Sequence, residues 1–311
     1  MDTRETIRAF VSNDPFSGIP AAQVLGGIVG GEQPSRYSQS PALWNRFFEN
    51  LGIEGQYTAF DLPDADRMKE FLEAVFSLPG FVDLTVTNPF KAHAFEAIGS
   101  LPWPVKITQR ARLVQSLNHL TKNPLNGEIT ADTTDGEGMI RALKKRTSLR
   151  GKKAVLAGAG GAALSIGYEL LEEGADVTIV NIIAEDGYKL AEFLASCRQG
   201  GAAICALPWD KRLAAASSAD IVISAITTGT PLDESMLEGL RRECLFADAR
   251  YGDNAEFARL VRGAGLPCVD GREMLYGQFR VVAETLHGLA GSSPDFMAKT
   301  LDAVEDWFCA F

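Results

Sequence analysis

The stretch Lys153-Ala154-Val155-Leu156-Ala157-Gly158-Ala159-Gly160-Gly161-Ala162-Ala163 decides how the chain is read. Lys153 to Ala157 is a short apolar run of strand length, and a helical pattern follows the glycines to about Glu173. Glycine permits a tight turn and lets backbone N–H groups approach a pyrophosphate, whose charge the helix N-terminus favours. In that context the turn reads as a dinucleotide fingerprint, with Gly158, Ala159, Gly160, Gly161 and Ala162 as its contacts. A glycine-rich turn without a ligand is the plainer alternative.

Downstream, a strand over 176–180 leads into Asn181-Ile182-Ile183-Ala184-Glu185-Asp186. An acid near this point would bind the ribose hydroxyls of NAD, whereas an arginine would take the NADP phosphate. No arginine is present and two acids lie close by, so the loop favours NAD over NADP, with Asn181 and Ile182 beside the ribose. Strands over 221–225, 245–249 and 267–269 follow, with helices between, and helices over 278–287 and 294–308 end the chain. Upstream, strands over 23–29, 57–62 and 81–87 alternate with helices. One helix opens with Ser40 as N-cap and Pro41 as its first residue, and another opens at Pro89. Thr134-Asp135-Gly136-Glu137 has the form of a capping box that starts a helix running to Lys145. The alternation predicts an α/β protein with mostly parallel strands.

A chain of 311 residues is comfortable for two domains, and 46% hydrophobic with 23% charged residues is ordinary for a soluble globular protein. The net charge of −10 argues against nucleic acid or an anionic membrane as the main partner. Five cysteines without a CxxC pair and three scattered histidines give neither a disulfide framework nor metal spacing. No apolar run is long enough to cross a bilayer, and a cytoplasmic location is the expectation.

Several residues could carry chemistry. Lys91 lies in the first turn of its helix, where the dipole disfavours a cation; a lysine so placed can exchange a proton with a hydroxyl. Asp135 opens a helix, a position that also suits an acid with no chemistry to do. Asn118 and Gln278 bear amides that donate and accept, which suits a vicinal triol. Thr87 ends a strand, and Tyr251 follows one. Each alone has an ordinary structural use; their order along the chain makes the set specific.

Taken together, these stretches resemble the shikimate dehydrogenase family over nearly the whole chain. Ser38 and Ser40 with Pro41 are similar to its Ser-x-Ser-Pro, whose hydroxyls hold the substrate carboxylate. Thr87 with Pro89-Phe90-Lys91 resembles Asn-Val-Thr-x-Pro-x-Lys, which puts Lys91 in the catalytic lysine position. Asn118 corresponds to the asparagine of Val-Asn-Thr. Thr134-Asp135 with Gly138 resembles Asn-Thr-Asp-x-x-Gly, making Asp135 the acid of the catalytic pair. Gly271, Met274, Leu275 and Gln278 resemble Gly-x-x-Met-Leu-x-x-Gln, in which the glutamine binds substrate and the glycine lies near the nicotinamide. Tyr251 fits a substrate-proximal tyrosine, and Ala225 lies where the family has Asn-Ala-Thr near the nicotinamide. Departures are Tyr37 for histidine, Thr85 and Thr133 for asparagine, and Ile182 for the arginine of NADP-dependent members.

The resemblance implies an N-terminal α/β substrate domain over 1–135, completed by helices returning over 275–311, and a Rossmann-type doubly wound dinucleotide domain over 136–274. It implies NAD(P)-dependent interconversion of shikimate, quinate or a close analogue with the 3-dehydro ketone, the proton handled by Lys91 and Asp135. The partner would be a small cyclohexene or cyclohexane carboxylate, and the protein a monomer or homodimer. The drift around the cofactor points to an NAD-using, shikimate- or quinate-oxidising paralogue. A ligand-binding sensor that kept the fold without turnover is the alternative; the presence of both Lys91 and Asp135 favours catalysis.

Overall fold

The computed structural model describes residues 2–20, 23–198, 200–226, 232, 234–238, 240–251, 255–290 and 294–309, the side chains of 287–290, 294–296 and 309 excepted. It divides into two compact units, Met1–Thr134 with Val282–Phe311, and Asp135–Val281. Among the described residues no helix is long and apolar enough to cross a membrane.

The first unit runs α1 (Thr3–Arg8), β1 (Val24–Gly30), α2 (Pro34–Tyr37), α3 (Ser40–Leu51), β2 (Gln56–Asp61), α4 (Met68–Phe76), β3 (Asp83–Val86), α5 (Lys91–Ile98), β4 (Val105–Ile107), α6 (Gln109–Val114), β5 (His119–Lys122) and β6 (Ile129–Asp132). Its sheet has the order β2-β1-β3-β5-β6-β4. Strand β5 is antiparallel to both β3 and β6, and the other pairings are parallel. The core is aromatic: Phe60 is fully buried and meets Phe16, Phe71 and Phe81 edge to face, with centroids 5.3–6.3 Å apart. Strand β1 carries Gly27 because a Cβ there would overlap the Phe60 ring.

The second unit runs α7 (Asp135–Lys144), β7 (Lys153–Ala157), α8 (Gly161–Glu172), β8 (Asp176–Asn181), α9 (Ala184–Cys197), β9 (Ile204–Pro208), α10 (Arg212–Ser217), β10 (Ile221–Ser224), β11 (Leu245–Asp248), α11 (Glu256–Gly263), β12 (Cys268–Val269) and α12 (Gly271–Ala290). All its strand pairs are parallel, in the order β12-β11-β10-β7-β8-β9. This is the doubly wound arrangement, with its switch point between β7 and β10. The chain re-enters the first unit at Val282, within α12, and ends in α13 (Pro294–Cys309), which packs on α3.

Asp132, at the end of β6, joins three segments of the first unit. Its carboxylate accepts from Thr108 Oγ1 at 2.5 Å, from Arg110 Nη2 and Nε at 2.6 and 2.8 Å, and from the Thr133 N–H at 2.8 Å. Burial pushes the carboxyl pKa up, but the Arg110 bonds and charge, with the other donors, bring it below the ordinary value. A carboxyl whose folded pKa is depressed stabilises the fold above its unfolded pKa, about 4, and loses that contribution as pH falls through the folded value. Asp132→Asn is therefore expected to flatten the loss of stability below about pH 4. Arg110→Ala should cost about 3 kcal/mol at neutral pH by leaving a largely buried carboxylate uncompensated; urea unfolding across pH measures both.

Candidate active site

In the first unit, backbone hydrogen bonds bring three of the expected residues to one end of the sheet. The Thr87 N–H donates to Val29 O at 2.9 Å, fixing the end of β3 against β1. The Leu117 N–H donates to Lys91 O at 3.2 Å, so the start of α5 lies beside Asn118. Asn118 in turn accepts at its backbone oxygen from the Val86 N–H at 2.8 Å and donates from its N–H to Asp132 O at 3.1 Å. Its buried side-chain oxygen accepts from Thr134 N–H and Oγ1 at 2.8 and 3.2 Å. Directly behind it, His119 Nε2 and Asp83 Oδ1 lie 2.6 Å apart and clamp β5 to β3.

Ser38 follows α2 and Ser40 opens α3. The Ser38 hydroxyl accepts from the Ser40 N–H at 3.2 Å, and Ser40 is buried. Helix α2 is tied to β2 through Ser35, whose N–H and hydroxyl donate to Asp61 at 2.9 and 2.5 Å. Tyr37 lies beside the Thr87 side chain, and partial burial pushes its phenol pKa up. This neighbour of Thr87 is not among the expected site residues; its signals in the sequence are its place immediately before Ser38 and its standing where the resembled family has a histidine.

In the second unit, Asp135 is the first residue of α7 and is buried. Next to it, the Gly136 N–H donates to Ser165 Oγ of α8 at 2.9 Å. Helix α12 crosses α7 closely, with Gly277 against the Gly138 carbonyl and a Cβ on Gly138 placed 2.6 Å from Gln278 Cγ. Gln278 is thereby held on the first turn of the helix that Asp135 begins. At the start of α12, the Gly271 N–H donates to Arg250 O at 3.1 Å, and Arg250 pairs with the buried Asp248 at 3.2 Å. Tyr251 follows directly and is half-buried; Met274, one turn into the helix, is buried.

The glycine turn has a cradle's geometry. Gly158 has φ +120° and a Cβ there would lie 2.9 Å from Ala225 O, so the turn closes against the end of β10. A Cβ on Gly160 or Gly161 would meet nothing within 4 Å, and the α8 N-terminus has no side-chain cap. Open space thus faces uncapped helix N–H groups, as a pyrophosphate requires. The Ser224 hydroxyl, buried at the end of β10 beside Ala225, finds no hydrogen-bond partner among the described residues. Asn181 Nδ2 donates to Ile183 O at 2.9 Å, while Ile182 and Ile183 are exposed. These residues fit a dinucleotide. Among the described residues no group of histidines, cysteines and acids could hold a metal.

Three local expectations are corrected. Gln39, not Ser40, is the N-cap of α3, and no side chain caps it; Ser40 is already helical. The capping box is absent as a role: Thr134 Oγ1 donates to Asn118, and the Glu137 carboxylate takes Arg141 Nε and Nη2 at 3.1 and 2.9 Å. The last part of the chain begins its helix at Gly271 rather than Gln278, so the whole Gly-x-x-Met-Leu-x-x-Gln stretch is helical.

Residues 29–119 match the model of the shikimate dehydrogenase substrate binding domain. A shikimate dehydrogenase (NADP(+)) of Anaeromyxobacter dehalogenans is 32% identical over 92% of this chain and 99% of its own length. One from Methanopyrus kandleri is 34% identical over 65% of this chain and 67% of its own. The chain belongs to the shikimate dehydrogenase family. Among solved structures, the shikimate 5-dehydrogenase of Thermus thermophilus in complex with NADP(H) and shikimate superposes with a TM-score of 0.67 at 26% identity, covering 91% of this chain and 100% of that one.

The expectation of NAD over NADP does not stand, because these relatives are named for NADP(+) and the solved relative carries NADP(H). The physical reason is that a missing arginine at Ile182 removes one way of holding a phosphate. Preference depends on every charge within reach of the ribose.

Gly158→Ala and Gly161→Ala should separate fold from ligand space. Strain at φ +120° and the backbone contact should make the first destabilising by about 1–3 kcal/mol in urea unfolding. The second should leave stability unchanged yet weaken dinucleotide binding by calorimetry, since its methyl enters the open cradle.

Proposed function

We propose that this protein is an NADP(H)-dependent oxidoreductase that interconverts shikimate, or a close relative such as quinate, with the 3-dehydro ketone. One observation carries the reading: Thr87, Lys91 and Asn118 are joined at one sheet end by backbone hydrogen bonds, in a chain of this family. Quinate enters because ring saturation and one hydroxyl are distinguished by pocket walls alone.

The second unit would hold the dinucleotide with the backbone of Gly158 to Ala162, the segment Asn181-Ile182, Ala225, Gly271 and Met274. When bound, the dinucleotide supplies the hydride acceptor or donor. Ser38 and Ser40 hold the substrate carboxylate through their hydroxyls. Thr87, Asn118, Tyr251 and Gln278 orient the ring hydroxyls. In the oxidising direction the reacting hydroxyl gives up its proton to the Lys91/Asp135 pair as hydride leaves its carbon; in the reducing direction the pair returns it. The acidic surface of a chain with net charge −10 offers an anionic substrate no general attraction, so recognition falls to these few groups.

The direct test is steady-state oxidation of shikimate and of quinate with NADP, followed by nicotinamide absorbance. Turnover supports the reading. Binding of shikimate without turnover would instead support a sensor on the same fold.

Lys91→Ala should lower kcat by about 10²–10⁴ with a much smaller change in KM, as expected for a group that acts on a proton in the transition state. An unchanged kcat would remove Lys91 from the chemistry. Ser40→Ala should raise KM roughly tenfold or more through loss of a charge-assisted hydrogen bond. Its melting temperature should stay near that of the parent, since Ser40 does not cap its helix.

A further inference from the structure

Strand β9 is the edge of the second sheet, and its end is in register with the end of β8: Asn181 pairs with Pro208. The residues one step further on are Ile182 on one strand and Trp209 on the other. Parallel neighbours lie about 4.8 Å apart, so the two loops leave the sheet side by side. Trp209–Lys211 forms one 3-10 turn that touches β8 and leads into α10. The Arg212 guanidinium lies over the Trp209 ring, 4.9 Å from its centroid, and Nη1 donates to Trp209 O at 3.3 Å. Lys211 lies 3.5 Å from Asp210, with the two side chains 61% and 70% exposed. An exposed pair of this kind is weak, and its ammonium is available to a stronger anion.

A doubly wound sheet places the adenosine ribose of a dinucleotide beyond the end of the strand that follows the glycine-turn helix, here β8. The β8 loop itself offers only the exposed side chains of Ile182 and Ile183, then Glu185 and Asp186. Cations come instead from the adjoining β9 loop. A half-buried indole is a stacking surface for a purine, and a guanidinium with a neighbouring ammonium is suited to a phosphate dianion. We propose that Trp209, Lys211 and Arg212 form the subsite for the adenosine 2′-phosphate, replacing an arginine in the β8 loop. This rests on the reading of the second unit as a dinucleotide domain. Glu185 pairs with Lys189 at 3.6 Å, which reduces the negative field that the phosphate meets.

The sequence supplies an internal probe. Of its four tryptophans (Trp44, Trp103, Trp209 and Trp307), only Trp209 belongs to the second unit. The test titrates the full chain with 2′,5′-ADP and with 5′-AMP, reading tryptophan emission and calorimetric heat, for the parent, Lys211→Glu, Lys211→Gln/Arg212→Gln and Trp209→Phe. In the parent, 2′,5′-ADP should bind at least tenfold more tightly than 5′-AMP and change an emission component that Trp209→Phe lacks. The double variant should lose that tenfold advantage while its affinity for 5′-AMP stays within about twofold. Lys211→Glu, on an exposed side chain remote from the core, should lose most of it with an unchanged melting temperature. Undiminished preference for 2′,5′-ADP in both cation variants, or no preference in the parent, would overturn the subsite and leave the dinucleotide reading intact. Failure of the parent to bind 2′,5′-ADP, NAD or NADP at all would overturn both.

Discussion

The side-chain oxygen of Asn118 is the point on which the first unit's candidate site depends. It is buried, and both of its lone pairs are taken by Thr134, through the N–H at 2.8 Å and the hydroxyl at 3.2 Å. A buried acceptor stripped of such partners costs about 1–3 kcal/mol, so the amide is held in one orientation. The chain that leaves Thr134 begins α7 with Asp135. Backbone groups of Asn118 meanwhile join β6 and the end of β3. Thr87, Lys91 and Thr134 thus take their places from one residue.

Behind that residue lie two polar pairs that differ in their surroundings. His119 and Asp83 are both nearly inaccessible, and Asp83 Oδ2 has no hydrogen-bond partner among the described residues. Arg110 and Asp132 are partly open to solvent, and the Asp132 carboxylate gathers donors from two side chains and one backbone N–H. In polar pairs withdrawn from water, desolvation offsets much of the attraction, so removing one partner costs more than the pair contributes net. Here the His119–Asp83 pair ties β5 to β3, while Arg110 and Thr108 tie the segment after β4 to the end of β6; Asn118 bonds Val86 on one side and Asp132 on the other.

The glycine turn, the strand before it and the helix after it are legible in the sequence because a continuous apolar run, a glycine cluster and a helical period follow one another without interruption. Strand β7 has the predicted bounds, Lys153–Ala157. Strands β4, β5 and β6 are hidden for the opposite reason. They are three or four residues long, β4 is an edge strand, and β5 and β6 mix polar residues such as His119, Thr121 and Asp132 with apolar ones. Ser40 reads as a cap because Ser-Pro is a good helix start. Position alone cannot show that the Ser38 hydroxyl, two residues earlier, is the one that meets a free N–H. Gln278 reads as a helix start because Gly271 looks like a breaker. In three dimensions Gly271 is needed where α12 presses on Ala249 and Arg250.

The hidden strand β9 also bears on how the surroundings of the ribose are read. As an edge strand, Ile204–Pro208 is half-exposed along most of its length and shows no clean alternation, so nothing in the sequence marks it as a neighbour of β8. Without it, the surroundings of the ribose reduce to the segment from Asn181 to Asp186, which is apolar and acidic. With it, a tryptophan, a lysine and an arginine join the same end of the sheet. Phosphate recognition is a sum over charges brought together by pairing between strands, and a motif confined to one loop samples only part of that sum. Ile182 reports that one familiar cation is missing; which cations stand beside it is written further along the chain, in a turn whose position only the sheet order reveals.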